Sequence, residues 1–496
     1  MIVATAIPYL RLFLALLCLV PFSVAQAVSL SADGTGQALI YPYYTVQGTQ
    51  DTLFSVQGGS SSKALKVRFF EGRNGSVALN FNLYLAKFTT WTAAVTRDAA
   101  GNPVLRTFDP ACTVPRFGAS SIAGATEIAF TNANYAGYDM AGSGLDRARE
   151  GHFEIIEMGN INESFMMPYP KTFGGAITPF DLGYETANPN FDCSAVASAW
   201  DKWGIFLNST GHELLAPTGG LQGHAFIINV PRSTEYSYDP VALSGVFTNA
   251  RHTAAGDTRP NLGDADPTSL VVANGIARQS TWSTGIDAVS AVLTHSQISN
   301  EYVGPPTASA PVSTDVIVTF PTKSYYVVRE SDTGLSTRPP FTAKFNTADA
   351  TTGIPLADGA SRGACEFAYE DRRGRGGLFN SYSGFIFPEW PGPWPYDPNV
   401  LCWQANVVSI GNVLDSPTAT NLANLGSYNK TTSGTIRFQF YVSADSRPSL
   451  TSLEGHQYPG LPVVGFAAQQ RINGNLGGLL ANYGGTSAHK YVTELK

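Results

Sequence analysis

The chain is 496 residues long with a formal net charge of −7; only 14% of its residues are charged, while 11% are aromatic. With 49 glycines and 31 prolines, this balance suits an all-β protein working outside the cytoplasm better than a cytosolic enzyme. No basic cluster of the kind that binds nucleic acid is visible; Asp371-Arg372-Arg373-Gly374-Arg375 is the densest cationic stretch and reads as a solvated loop.

Residues 1–27 read as a signal peptide. Arg11 supplies the positive charge, Leu12 to Val20 is an unbroken apolar run, and Pro21 ends it. Ala25-Gln26-Ala27 then gives the small-x-small pattern of a cleavage site. The apolar run is shorter than the roughly 20 residues a spanning helix needs. Cys18 lies inside that run without small residues before it, so lipidation is not expected. No second stretch of spanning length follows, and no integral membrane segment is expected after cleavage.

The first strong structural signal is a hairpin. Leu65, Val67 and Phe69 alternate with Lys66 and Arg68, and Val77, Leu79, Phe81, Leu83 and Leu85 alternate with Asn80 and Asn82. Asn74-Gly75 between them predicts a type I′ turn and antiparallel pairing. The alternation predicts a sheet covered on one face only. Further strands are expected at 38–46, 53–56, 91–95, 153–158, 225–230, 325–328 and 463–467, with period-two runs also at 316–320 and 436–442. Helix is expected at 192–206, where Val196, Trp200 and Trp203 form one stripe, and at 286–293, both as excursions from a β scaffold. No fixed-period repeat is visible, which counts against a propeller or solenoid.

The fold class is therefore all-β, mainly antiparallel: a β-sandwich or jelly-roll-like structure of one or two lobes with a few short helical insertions. The Pro-, Ser- and Ala-rich stretch 305–314 reads as a linker or a long loop. It divides the chain into an N-terminal β-rich domain (28–304) and a C-terminal one (315–496). Four cysteines remain after cleavage, an even number that reads as two disulfides in an exported chain. Each half holds two, so the expected pairs are Cys112–Cys193 and Cys365–Cys402.

Three phrases carry a resemblance: Gly34-Thr35-Gly36-Gln37-Ala38-Leu39-Ile40-Tyr41-Pro42-Tyr43-Tyr44, Lys66-Val67-Arg68-Phe69-Phe70-Glu71-Gly72-Arg73-Asn74, and Phe320-Pro321-Thr322-Lys323. Together they resemble a group of large exported, β-rich, cell-surface-type proteins of Gram-negative bacteria. The matched residues are strand and turn residues. The resemblance implies export and β structure, and it brings no activity and no functional residues.

Catalytic signals are weak. No Gly-x-Ser-x-Gly elbow occurs. Gly211-His212-Glu213-Leu214-Leu215 begins a zinc-hydrolase pattern and fails it, although His212, Glu213 and His224 can meet across a hairpin. Asp257, Asp264 and Asp266 are candidate calcium ligands on Asp-rich turns; no other cofactor is expected. Glu366, Glu370 and Asp371, with Glu389 further on, are candidate carboxylates for a glycosidase cleft.

The most unusual stretch is 385–403, which holds five prolines. Proline keeps it out of a sheet interior, and Trp390, Trp394, Tyr396 and Trp403 offer rigid rings for a sugar or a protein partner. The leading expectation is an exported cell-surface or periplasmic structural or binding protein that contacts a glycan or a cell-surface protein through this loop. The alternatives are a secreted hydrolase acting on polysaccharide or ester bonds and a self-assembling filament or surface-layer subunit joined by β-edges.

Overall fold

Runs of β-branched and aromatic residues at period two form strands because such side chains pack well on a pleated, covered surface. The computed structural model of the protein shows a mainly antiparallel β structure built from them. It describes residues 26–135, 141–161, 191, 193–201, 205–208, 214–304, 311–329, 335–341, 367–370, 376–379, 401, 403–421, 433–440 and 448–496. The expected Cys365–Cys402 pair and residues 1–25 of the expected signal peptide lie outside the described residues.

In the first half the main strands are β1 (Ala38–Thr45), β2 (Gln50–Gln57), β3 (Lys63–Glu71), β4 (Val77–Leu85), β5 (Thr90–Arg97), β6 (Pro103–Thr107), β7 (Glu150–Ile161), β8 (Gln222–Asn229), β9 (Thr234–Tyr238) and β10 (Val241–Ser244). An eight-stranded sheet contains the neighbours β10-β1-β7-β3-β4, and a seven-stranded sheet begins β9-β8-β2-β5-β6. The two sheets face each other. Leu39, Tyr41, Val67, Phe69, Phe81, Phe153 and Ile155 of the first share one apolar cluster with Phe54, Val56, Trp91, Val95 and Ile227 of the second. Phe153 lies at its centre, stacked on Tyr41 at 4.1 Å and on Phe69 at 4.6 Å.

The hairpin β3–β4 forms as expected, but two features of it differ from the sequence reading. Its turn is not a two-residue type I′ turn: residues 72–76 lie between the strands, and Gly75 at φ +72° is the turn residue with positive φ. The second face is not open to solvent either. Lys66 and Arg68 on that face are buried, and so are Lys63 and Glu71, which continue the apolar row on the opposite face. Arg68 pairs with its cross-strand neighbour Glu154 at 2.9 Å, Lys63 with Glu157 at 2.7 Å, and Glu71 with Arg147 at 2.9 Å. Period two gives the same polar row whether water or a second layer covers it; here a second layer does.

The helices are α1 (Cys193–Ser198), α2 (Ile205–Asn208) and α3 (Gly285–Leu293). The expected continuous helix at 192–206 is thus two short pieces, and the chain folds back so that the Phe206 N–H reaches the Ala199 carbonyl. Helix α3 matches expectation in place but not in role. It is buried along its whole length and packs in the core rather than standing off it. At 325–328 the strand is only Val327–Arg329, because the Tyr325 and Tyr326 N–H groups close 3₁₀ turns onto the Thr322 and Lys323 carbonyls.

The later strands are β11 (Gln297–Val303), β12 (Val312–Thr319), β13 (Ala405–Ile410), β14 (Ser433–Gln439), β15 (Val464–Leu476) and β16 (Leu479–Ala488). They form two five-stranded sheets. One contains the neighbours β14-β11, and the other runs through β13-β12-β15 to β16 at its edge. Strand β12 begins within the proline-rich stretch, at Val312. Side chains from the two parts of the chain pack together: Phe466 stacks on Tyr238 at 4.5 Å, and the Thr319 hydroxyl donates to the Pro42 carbonyl at 2.6 Å.

The expected Cys112–Cys193 disulfide is present and joins β4's short neighbouring strand (Cys112–Val114) to α1 across a sequence separation of 81. A loop of that length is worth about 4–5 kcal/mol on the chain-entropy account. The Cys112→Ala/Cys193→Ala double variant is expected to unfold at markedly lower denaturant concentration. A chemical-denaturation midpoint equal to that of the parent protein would show that the bridge contributes nothing.

Candidate functional site

Of the four aromatic residues expected to contact a partner, Trp390, Trp394 and Tyr396 lie outside the described residues. Trp403 is half-buried, with its backbone N–H on Asn406 Oδ1 at 2.9 Å and the Arg73 guanidinium over its ring at 5.9 Å. The next two residues are bonded to the hairpin turn: Gln404 N–H to the Arg73 carbonyl at 2.7 Å and Ala405 N–H to the Gly72 carbonyl at 2.8 Å. Trp403 is thus an anchor where the aromatic segment enters the fold. Glu71 builds the receiving turn by accepting the N–H groups of Arg73, Asn74 and Ser76 while paired with Arg147. Gly75 is needed there, since a Cβ would stand 2.8 Å from the Gln404 carboxamide.

The other expected sites are described only in part. His212 and Glu213 lie outside the described residues, and His224 is bonded through Nδ1 to Asp239 and packed on Phe226. Glu366, Asp371 and Glu389 lie outside the described residues; of Glu370 only the backbone, at the end of strand Phe367–Glu370, is described. Asp264 pairs with Arg259 and accepts the Asn261 N–H at 3.0 Å in a capping box. Asp266 faces Arg251 at 3.8 Å, and the Asp257 carbonyl accepts from Asn80. Among the described residues no three His, Cys, Asp or Glu side chains are grouped as metal ligands. Sequence reading missed a Ser–His contact: Ser280 Oγ lies 2.9 Å from His456 Nδ1 and 2.6 Å from Tyr458 OH. Ser280 is buried, so the contact ties two hairpins rather than presenting a nucleophile.

Segment 252–257 runs as a strap across the outer face of the eight-stranded sheet. Its carbonyls accept from side chains that the strands point outward: Thr253 from Asn82 at 2.8 Å, Ala254 from Lys66 at 2.7 Å and Asp257 from Asn80 at 2.6 Å. Tyr84 OH accepts from Trp200 Nε1 at 2.7 Å, so its proton points to His252 Nε2 at 2.8 Å. That bond requires an unprotonated acceptor nitrogen, and burial accordingly lowers His252 to about 3; burial does the same to His152. Burial lowers Lys66 to about 7, with the Asp257 charge opposing and Arg68 adding to the shift.

One open cavity, of about 220 Å³, adjoins the disulfide. Its walls include Ala86, Thr89 and Thr90 on one side, Asp109 and Pro110 on the other, and Phe191 beside Cys112. Burial raises the Asp109 carboxyl above its ordinary range, against the opposing N–H bonds of Ala111 and Thr92. These residues come from the β4–β5 connection, the loop after β6 and the start of α1, so no single sequence window displays them. The exposed Phe108 beside Asp109-Pro110 was the only local sign.

No protein-family model matches the chain, and no match was found among curated proteins or solved structures.

The Lys66 environment yields a pH prediction. Its folded pKa lies below the unfolded value, so between about pH 7 and the ordinary lysine range the unfolded chain binds more protons than the folded one. Stability carried by this group must therefore rise with pH through that window. Lys66→Met is expected to flatten that rise, seen as Tm against pH from 6.5 to 10. An unchanged slope would mean that Lys66 is solvated.

Proposed function

We propose that the chain is an exported structural or binding protein of the cell surface or periplasm, contacting a glycan or a protein partner through outward-facing aromatic side chains. One contrast carries this reading. In the central sheet Lys63, Arg68 and Glu71 are spent in buried pairs and Lys66 and Glu150 are buried on neutral partners, while large apolar side chains are held in water by loops and one hairpin: Phe88 is 70% exposed, Phe108 67% and Tyr483 63%. Large rigid rings lose little entropy on contact, so exposed aromatics favour recognition. The Cys112–Cys193 bridge agrees with export, since such bonds persist outside reducing compartments. The resemblance to large exported β-rich surface proteins of Gram-negative bacteria points the same way.

In this reading Trp390 and Trp394, which precede Trp403 in sequence, are also partner contacts. The Trp390→Ala/Trp394→Ala variant is expected to keep its cooperative unfolding transition and to lose association with bacterial surface glycans or proteins, scored by glycan array and by pull-down on intact cells. Loss of the transition instead would show that these rings are core.

A second reading, self-assembly, is favoured by the edge strand β16. Thr486 and Asn482 tie the strand to Ser237 and Arg232, but its outer end carries Leu479 at 75% exposure with Leu480 and Tyr483 also exposed, and an exposed strand end is a template for pairing. Leu479→Lys/Tyr483→Lys is expected to abolish any filaments seen by electron microscopy; unaltered filaments would exclude this edge.

A further inference from the structure

The cavity beside the disulfide is built rather than incidental. Two successive side-chain turns shape its Asp109 wall: the Asp109 N–H donates to Thr107 Oγ1 at 2.9 Å, and the Ala111 N–H donates to Asp109 Oδ1 at 3.0 Å. They leave Phe108 turned outward. Just before the wall residues Thr89 and Thr90, Phe88 sits at φ +58°, a conformation that a bulky residue adopts only when its surroundings impose it. The imposing contacts are present: Phe88 N–H to the Gly59 carbonyl at 3.0 Å, and the Thr89 hydroxyl to the Ala86 carbonyl at 2.7 Å. Strain of this sort collects where a backbone is held for a task. Here it holds an aromatic ring in water, next in sequence to a cavity-lining residue, just as Phe108 is.

Size and lining select the ligand. A volume of about 220 Å³ falls below the roughly 300–1,000 Å³ that encloses a drug-sized molecule, so the cavity takes one ring. Asp109 offers carboxylate lone pairs, Thr89 and Thr90 offer hydroxyls, and Ala86, Pro110 and Phe191 offer apolar surface. A divalent cation would need several oxygen ligands, and one carboxylate supplies too few. A ring with several hydroxyl donors and apolar C–H faces satisfies both halves of the lining.

We infer that the cavity bounded by Thr89, Thr90, Asp109, Pro110 and Phe191 is a binding site for one uncharged sugar ring, with Phe88 and Phe108 as its aromatic rims. The inference deepens the binding reading above and assigns the sugar contact to residues other than those of 385–403. Asp109 accepts ligand hydroxyls, and the rims pack against the remainder of a longer glycan.

The test titrates the mature, disulfide-intact protein with glucose, galactose, mannose and N-acetylglucosamine, then with oligosaccharides ending in the same units, by calorimetry. Asp109→Asn keeps an oxygen for the Ala111 N–H but removes the charge, and Phe108→Ala removes a rim at the surface. The inference expects Asp109→Asn to weaken monosaccharide binding tenfold or more. Phe108→Ala should act mainly on oligosaccharides, and both variants should unfold like the parent. Binding lost in Trp390→Ala/Trp394→Ala but intact in Asp109→Asn would overturn the site and leave the binding reading standing. No saccharide binding by the parent protein would overturn the inference, while cell-surface pull-down would decide the broader reading separately. Equal affinity of the parent and both cavity variants would also overturn it.

Discussion

Strand β3 carries three buried ion pairs, and the arrangement of both halves depends on how they are satisfied. Lys63 and Glu71 continue the alternation of Leu65, Val67 and Phe69, so they bracket the apolar row at its two ends. Arg68 lies on the opposite face against Glu154. Breaking such a pair by removing one partner costs about 3–5 kcal/mol, because the other charge stays buried alone. The pairs are therefore poor sources of net stability and strong sources of specificity. A one-residue slip of β3 against β7 would move Arg68 away from Glu154 and drive Leu65, Val67 and Phe69 off the sandwich core.

The pairs at Lys63 and Glu71 are also supported by neutral groups, which makes those buried charges tolerable. Lys63 is shared with Asn160 at 2.9 Å, and Glu157 accepts the Gly219 N–H at 2.8 Å. Glu71 holds three turn N–H groups as well as Arg147, and that turn in turn receives Gln404 and Ala405. The same carboxylate thus closes a hairpin, pairs a guanidinium and shapes the seat for a strand more than three hundred residues later. Asp315 acts similarly from the other side. It accepts the Val413 and Leu414 N–H groups at 2.9 and 2.8 Å, and burial raises it to about 6.

Much of this frame was legible in the sequence, and the illegible parts share a cause. Alternation revealed β3, β4, β12 and β14, and cysteine proximity revealed Cys112–Cys193. Alternation could not reveal that Asn80, Asn82 and Lys66 face a strap rather than water, because the accepting carbonyls lie about 170 to 190 residues away. The helix expected at 192–206 contains Gly204, which weakens a helix by about 1 kcal/mol relative to alanine. The pull of Trp200 toward Tyr84 is a tertiary contact with no trace in the helical stripe. The cavity was harder still. Local motifs drew attention to His212, Glu366 and the Asp-rich turns, whereas the cavity at Asp109 is assembled from segments whose individual composition is ordinary.

A sheet buried on both faces changes what its loops can do. A loop standing on a one-sided sheet shares the motion of an exposed layer. Here the β4–β5 connection and the loop after β6 rise from sheets packed on a common aromatic core, and the disulfide fixes the third wall of the cavity to the same strands. Preorganisation of this kind lowers the entropy lost on binding. It also explains why a residue as bulky as Phe88 tolerates a positive φ: the strain, of order 1–3 kcal/mol, is borne by a frame that does not relax around it. The buried charges and the exposed rings are then two consequences of one construction, in which polar groups specify the register and the rigid register holds aromatic side chains in water.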